Sequence, residues 1–138
     1  MKALLRLGIV ACITLLVYSC SKGGCNVVPS VSVHYRFSQS SNPKLFAAGG
    51  ADVINGIGVA GVIVYNTGNN TFIAYDRCST VNPEQRNKVV LDENPNVVKD
   101  PVSGAKWLLL DGSPLDIAEC PLKPYYVMKQ GDTYIIQN

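Results

Sequence analysis

Short segments in which apolar and polar residues alternate, or in which β-branched residues cluster, recur from residue 31 to the end of the chain. Between residues 31 and 37 every second side chain is apolar, which is typical of a half-buried strand, and the only histidine, His34, lies on its polar face. Further candidate strands are 61–66, 71–75, 88–91, 97–99, 106–110, 125–129 and 133–137. No segment after residue 20 has a convincing period of 3.6 residues over two turns. The pattern predicts an all-β fold, a small antiparallel β-sandwich or barrel.

Two pairs of these segments are joined by residues that favour tight turns. The sequence Thr67-Gly68-Asn69-Asn70 separates the first pair, and Gln130-Gly131-Asp132 separates the last pair. Glycine and asparagine adopt the backbone conformations that short hairpin turns require. We therefore expect two β-hairpins, the second of which ends the chain.

The amino-terminal segment has the features of a signal peptide. Lys2 and Arg6 precede an apolar run over residues 7–17, which is too short to cross a bilayer core as a helix. The run ends in Val17-Tyr18-Ser19-Cys20, which resembles the lipobox of bacterial lipoproteins. That resemblance implies cleavage before Cys20, lipidation of Cys20, and an anchor of several acyl chains. The alternative is an ordinary secretory signal, with Cys20 as a free thiol or half of a disulfide bond.

These features divide the chain into a signal peptide (1–19), a lipidated tether (20–29) and one β domain (30–138). The twelve Lys and Arg residues of the whole chain include Lys2 and Arg6, so ten remain after cleavage, against ten Asp and Glu residues. A balanced chain without basic clusters gives no reason to expect binding of nucleic acid or of anionic lipid. The residues after Cys20 lack an acidic cluster of the kind that resembles a surface-export signal, which favours a periplasm-facing position at the outer membrane.

A glycine motif in the domain matches a dinucleotide-binding fingerprint by its letters. Gly56-Ile57-Gly58-Val59-Ala60-Gly61 has the form G-x-G-x-x-G, and Asp76 stands near the position of a ribose-binding acid. The fingerprint works only when a helix amino terminus follows the glycines, whereas Val62-Ile63-Val64 is a strand sequence. The glycines are therefore interpreted as a tight turn that leads into the first hairpin.

The sequence gives no positive indication of an enzyme. It has one histidine and no C-x-x-C motif, so neither cysteine–histidine catalysis nor a zinc site is indicated. Two cysteines, Cys78 and Cys120, lie within the domain, and export to an oxidising compartment permits a Cys78–Cys120 disulfide bond. Cys25 is a competing partner, and the sequence does not decide between these pairings.

From residue 50 to residue 138 the chain resembles a Rieske-type domain, in particular the small Rieske-like lipoproteins of the Bacteroidetes. The matching segments follow one another in the family's order: 61–65, 72–78, Asp100-Pro-Val-Ser-Gly-Ala-Lys-Trp107, 110–114, Ala118-Glu-Cys-Pro-Leu122, 125–127 and 134–136. The resemblance implies a fold that holds a two-iron, two-sulfur cluster with two cysteines and two histidines. Trp107 is interpreted as a core residue.

The resemblance also shows which ligand positions have changed. The C-x-H motif of the family falls on Cys78-Ser79-Thr80, and its C-x-x-H motif falls on Asp100-Pro101-Val102-Ser103. Of the ligand positions Cys78, Thr80, Asp100 and Ser103, only Cys78 keeps the family's residue, so we expect no cofactor. What Cys78 does is left open between a buried or disulfide-bonded residue, a retained metal ligand and a redox-active thiol.

The sequence therefore predicts a membrane-anchored envelope lipoprotein with a degenerate Rieske-like domain that acts in binding or structure. Its expected partners are the membrane, through the lipid anchor, and an unidentified envelope protein. The alternative is an electron-transfer protein that binds a two-iron, two-sulfur cluster with atypical ligands.

Overall fold

The computed structural model describes residues 24–138, which form an almost entirely β domain. The strands are β1 (His34–Phe37), β2 (Ala51–Ile54), β3 (Val62–Gly68), β4 (Thr71–Asp76), β5 (Val90–Leu91), β6 (Val97–Lys99), β7 (Lys106–Leu108), β8 (Pro114–Asp116), β9 (Pro124–Gln130) and β10 (Thr133–Gln137). Two short 3-10 helices, Pro43–Phe46 and Pro83–Gln85, interrupt the loops. The predicted all-β fold is confirmed. The predicted signal peptide and the lipidated Cys20 lie outside the described residues.

The strands form two antiparallel sheets. The larger sheet has six strands in the order β1-β10-β9-β4-β3-β2, and the smaller has four in the order β5-β6-β7-β8. Both predicted hairpins are present, as β3–β4 and β9–β10. In the first hairpin Asn69 and Asn70 have φ of 52° and 55°, as the two central residues of a type I′ turn require. Strands β2 and β8 were not among the predicted elements.

The six-stranded sheet consists of two halves that meet at a narrow seam. Strand β4 pairs with β9 only through Ala74↔Tyr125 and Tyr75↔Pro124. On one side of this seam lie β2 and β3, and on the other lie β10 and β1. Contacts beyond the strand ladder must therefore help to hold the halves together.

Strand β3 is buried on both faces, which explains its continuous run of apolar residues. Val62 and Val64 pack into a core with the aromatic side chains of Phe37 and Phe72. Ile63 and Tyr65 point the other way. They pack into a second core, between the two sheets, with these residues: Tyr75, Val89, Val98, Ala105, Trp107, Leu109 and Leu122. The expected core role of Trp107, whose side chain is fully buried, is confirmed.

The segment before β1 is packed against the domain from Cys25 onward. Val28 is buried beside Ala60 and Cys78. The ammonium of Lys123 donates hydrogen bonds to the carbonyl oxygens of Val28 at 3.2 Å and Pro29 at 3.0 Å. This part of the predicted tether therefore belongs structurally to the domain.

The possible Cys78–Cys120 disulfide bond is not formed, because Cys120 is bonded to the competing partner, Cys25. The Cα atoms of Cys25 and Cys120 lie 5.2 Å apart, although 95 positions separate them in sequence. Cys78 is a free cysteine in the interior. The pairing follows from the path of residues 25–28, which cross the outside of the domain and bring Cys25 to the loop after β8.

Replacing Trp107 with alanine tests the core between the sheets. We expect Trp107→Ala to lower the free energy of unfolding by about 3–5 kcal/mol, because it leaves a cavity among fully buried neighbours. Tyr126→Ala is the control, since the Tyr126 side chain is 77% exposed and its loss should cost within about 0.5 kcal/mol. Denaturant unfolding with the disulfide bond intact measures both, and equal losses would contradict the two-sheet core.

Candidate functional site

The four predicted ligand positions lie on two neighbouring loops at one end of the domain. Cys78 and Thr80 follow strand β4, whereas Asp100 and Ser103 lie in the connection between β6 and β7. The loops meet where the hydroxyl of Ser79 faces the carboxylate of Asp100. The structure thus brings together the two segments that the family resemblance selects.

Cys78 is enclosed by protein. Its side chain is fully buried, and the thiol lies 3.5 Å from the carbonyl oxygen of Pro83 and 3.7 Å from that of Ser79. Burial, together with the nearby carboxylate of Asp76, raises the pKa of the Cys78 thiol to about 11. A neutral, enclosed thiol is a poor nucleophile and a poor metal ligand.

Thr80 serves the structure of the loops. Its hydroxyl donates a hydrogen bond of 2.8 Å to the carbonyl oxygen of Cys120, which also accepts one of 3.0 Å from the indole N–H of Trp107. Cys120 in turn carries the disulfide bond to Cys25. Thr80 stands where the resemblance predicts the first histidine ligand, and its hydroxyl instead helps to hold the loop after β8 in place.

Asp100 and Ser103 bind each other in a compact turn. The Asp100 carboxylate is fully buried and accepts hydrogen bonds from the Ser103 hydroxyl at 2.7 Å and the Val102 amide at 2.9 Å. Burial opposes ionisation of this group, but the hydrogen bonds from Ser103, Val102 and Ser79 outweigh it and lower the pKa of Asp100. The carboxylate of Asp100, at a position where the resemblance predicts a cysteine ligand, therefore shapes its own loop.

These residues do not fit an iron–sulfur cluster of the Rieske type. Such a cluster needs two thiolates and two imidazoles, whereas the four predicted positions offer one buried thiol, two hydroxyls and one carboxylate. Within residues 24–138 there is no group of three or more His, Cys, Asp or Glu side chains that could hold a metal ion. His34, the remaining imidazole, is exposed on the edge strand β1, where it pairs with Gln137.

The glycine motif forms a loop around the carboxylate of Asp76, a role that the sequence did not reveal. One carboxylate oxygen accepts hydrogen bonds from the amides of Ala60 at 3.2 Å and Cys78 at 2.7 Å. The other accepts them from the Val59 amide at 2.6 Å and the Tyr125 hydroxyl at 2.7 Å. Burial and this bond to Asp76 raise the pKa of Tyr125, so its phenol remains protonated as a donor.

The glycines allow the loop to approach this carboxylate closely. Gly58 has φ of 69°, and a Cβ atom there would lie 2.5 Å from a carboxylate oxygen of Asp76. In a dinucleotide-binding loop such amides would bind phosphate. Here the amides of Val59 and Ala60 bind the carboxylate of Asp76. Both the motif and the acid were visible in the sequence, but nothing in their spacing showed that they bind each other.

Comparisons with known proteins support the fold. No protein-family model matches the chain, and no curated protein matches it. A solved structure titled "Complex of reduced oxygenase and oxidized ferredoxin in carbazole 1,9a-dioxygenase" contains a similar chain, with 19% identity and a TM-score of 0.52 over 76% of this chain and 93% of that one. A putative NADH-dependent nitrite reductase small subunit from Mycobacterium tuberculosis has 16% identity and a TM-score of 0.46, over 79% of this chain and 97% of that one. The similarity to the chain in the dioxygenase complex shows that this domain has a Rieske-like fold, which the order of the sequence motifs predicts.

Changing Asp76 to asparagine tests the glycine loop. We expect Asp76→Asn to lower the free energy of unfolding by about 3 kcal/mol, because either amide orientation turns an N–H group toward a backbone or phenol donor. Asp132→Asn, at an exposed turn, removes the same charge and should cost little. Denaturant unfolding compares the two variants, and equal effects would contradict the proposed role of Asp76.

The enclosure of Cys78 predicts a thiol that resists alkylation in the native protein. At pH 8 a thiol with a pKa near 11 is ionised in only about one molecule in a thousand, and burial further excludes the reagent. Iodoacetamide should therefore label Cys78 only after the protein is unfolded. Mass spectrometry of the peptide containing Cys78 measures this, and rapid labelling of the native protein at pH 8 would contradict it.

Proposed function

We propose that this protein is a lipid-anchored envelope protein whose Rieske-like domain acts in binding or structure and carries no iron–sulfur cluster. The anchor is proposed at Cys20, and the site of action at the outer membrane, facing the periplasm. The expected contacts are the membrane, through the acyl chains, and a protein of the envelope.

The side chains at the four ligand positions carry this proposal. Cys78 is enclosed, Thr80 binds the carbonyl oxygen of Cys120, and Asp100 and Ser103 bind each other. Hydroxyl and carboxylate groups are hard ligands, whereas sulfide-bridged iron is held by thiolate and imidazole. Because each side chain has a structural use in the folded loops, recruiting it to a metal would break a contact that shapes the site.

The sequence before the domain supports the anchor. A short apolar run follows two basic residues and ends at Val17-Tyr18-Ser19-Cys20, the pattern that resembles a lipobox. In residues 24–138 no helix is long and apolar enough to cross a membrane. The Cys25–Cys120 disulfide bond suits an oxidising compartment such as the periplasm.

Iron analysis of the intact protein tests the absence of a cluster. Protein purified without oxygen should contain substoichiometric iron and acid-labile sulfide and should lack visible absorption, because three of the four positions cannot supply the cluster's ligands. Cys78→Ser removes the remaining thiol and should leave these values unchanged. Stoichiometric iron and sulfide that are lost in Cys78→Ser would contradict the proposal and favour the electron-transfer alternative.

Mass spectrometry of the mature amino terminus tests the anchor in the same preparation. We expect an acylated Cys20 as the first residue and membrane-bound protein. Cys20→Ser is the matched control, which should be neither acylated nor membrane-bound. An unmodified amino terminus at another residue would remove the anchor from the proposal.

A further inference from the structure

An apolar patch lies at the loop end of the domain, near the disulfide bond. It consists of Val27 and Ile117, which are 37% and 62% exposed, and of Val102, which is 70% exposed on the neighbouring loop over residues 100–104. Val27 and Ile117 line one open groove of about 290 Å³, together with Cys120. Exposed apolar side chains that share a groove offer a surface on which another molecule can bury apolar area.

Ile117 occupies this patch at a conformational cost. Its φ is 62°, a backbone region that β-branched residues rarely adopt and that glycine or asparagine would fill without strain. Its side chain lies over the neighbouring loop, where a Cβ atom added to Gly104 would be 3.7 Å from the Cδ1 atom of Ile117. A strained backbone with an exposed aliphatic side chain points to a contact between that side chain and another molecule.

The disulfide bond fixes how far this patch can lie from the proposed lipid anchor. Cys25 is bonded to Cys120 on the domain surface, and Cys20 stands five positions before Cys25. A fully extended chain of five residues spans at most about 18 Å. The Cα atom of Cys120 lies a further 5.2 Å from that of Cys25, so the anchor keeps Cys120, and the patch near it, within about 23 Å of Cys20.

We infer that the patch of Val27, Val102 and Ile117 lies against the bilayer surface that holds the anchor. This inference rests on the proposed lipidation of Cys20, and it adds an orientation: the loop end of the domain faces the lipid, and the far ends of the strands face away. The contact depends on the apolar side chains, because no Lys or Arg lines the groove and its acidic residue, Glu119, gains nothing from anionic lipid.

Fluorescence quenching on vesicles tests this orientation with the full lipidated chain. Ile117→Trp and Val102→Trp place a reporter within the patch, and Tyr126→Trp places one on the exposed outer surface of β9. The native Trp107 is fully buried and gives the same background in every variant. The vesicles contain phosphatidylethanolamine and phosphatidylglycerol with brominated acyl chains, which quench a tryptophan only on close approach, and flotation measures attachment.

We expect every variant to float with the vesicles, and the reporters at 117 and 102 to lose most of their added fluorescence while the reporter at 126 loses little. Flotation with no more quenching at 117 and 102 than at 126 would overturn the orientation and leave the anchor in place. The patch would then be free for a protein partner. Failure to float, with an unmodified amino terminus, would overturn the anchor and the orientation together.

Discussion

The buried carboxylate of Asp76 is the interaction on which the loop end of this domain depends. It lies at the end of β4, beside the seam where the strand ladder between the halves of the six-stranded sheet has only two residue pairs. By accepting a hydrogen bond from Tyr125 on β9, it links the two halves, and by accepting backbone amides it fixes the glycine loop and the start of the Cys78 loop. A charged acceptor with several donors is stable in the interior only when all of them are held in place. One side chain therefore holds the glycine loop, the start of the Cys78 loop and strand β9 together.

Much of the fold could be predicted from the sequence, because strands with a clear period or a β-branched run keep that pattern in the structure. The runs around the Asn69-Asn70 turn became strands where the pattern placed them, and the alternation over residues 31–37 became a strand from His34 onward. Strands β2 and β8 were missed because each is short and mostly half-buried or exposed, so neither has a distinct periodicity. The order of the motifs was more informative than any one of them, since it indicated the Rieske-like fold.

The candidate site was less predictable, because it depends on contacts between residues far apart in sequence. The four ligand positions were identified by resemblance, and the structure brings their loops together. The sequence could not show that Thr80 binds the carbonyl oxygen of Cys120 or that Asp100 and Ser103 bind each other. Nor could it show that Cys25, rather than Cys78, pairs with Cys120, since that pairing depends on the path of the segment before β1. Thr80, Asp100 and Ser103 therefore stabilise the loops at positions where the resemblance predicts ligands.

The Cys25–Cys120 bond also determines how mechanical force would pass between a membrane anchor and the domain. Without it, tension applied before residue 25 would load first the contacts of Val28 and Pro29 and then β1, an edge strand paired only with β10, which it could peel away one hydrogen-bonded pair at a time. With it, the load enters at Cys120, in a loop tied to Thr80 and Trp107. The disulfide bond thus keeps the tension off the edge strand β1. The force acts instead on a loop that is hydrogen-bonded to Thr80 and to the buried Trp107.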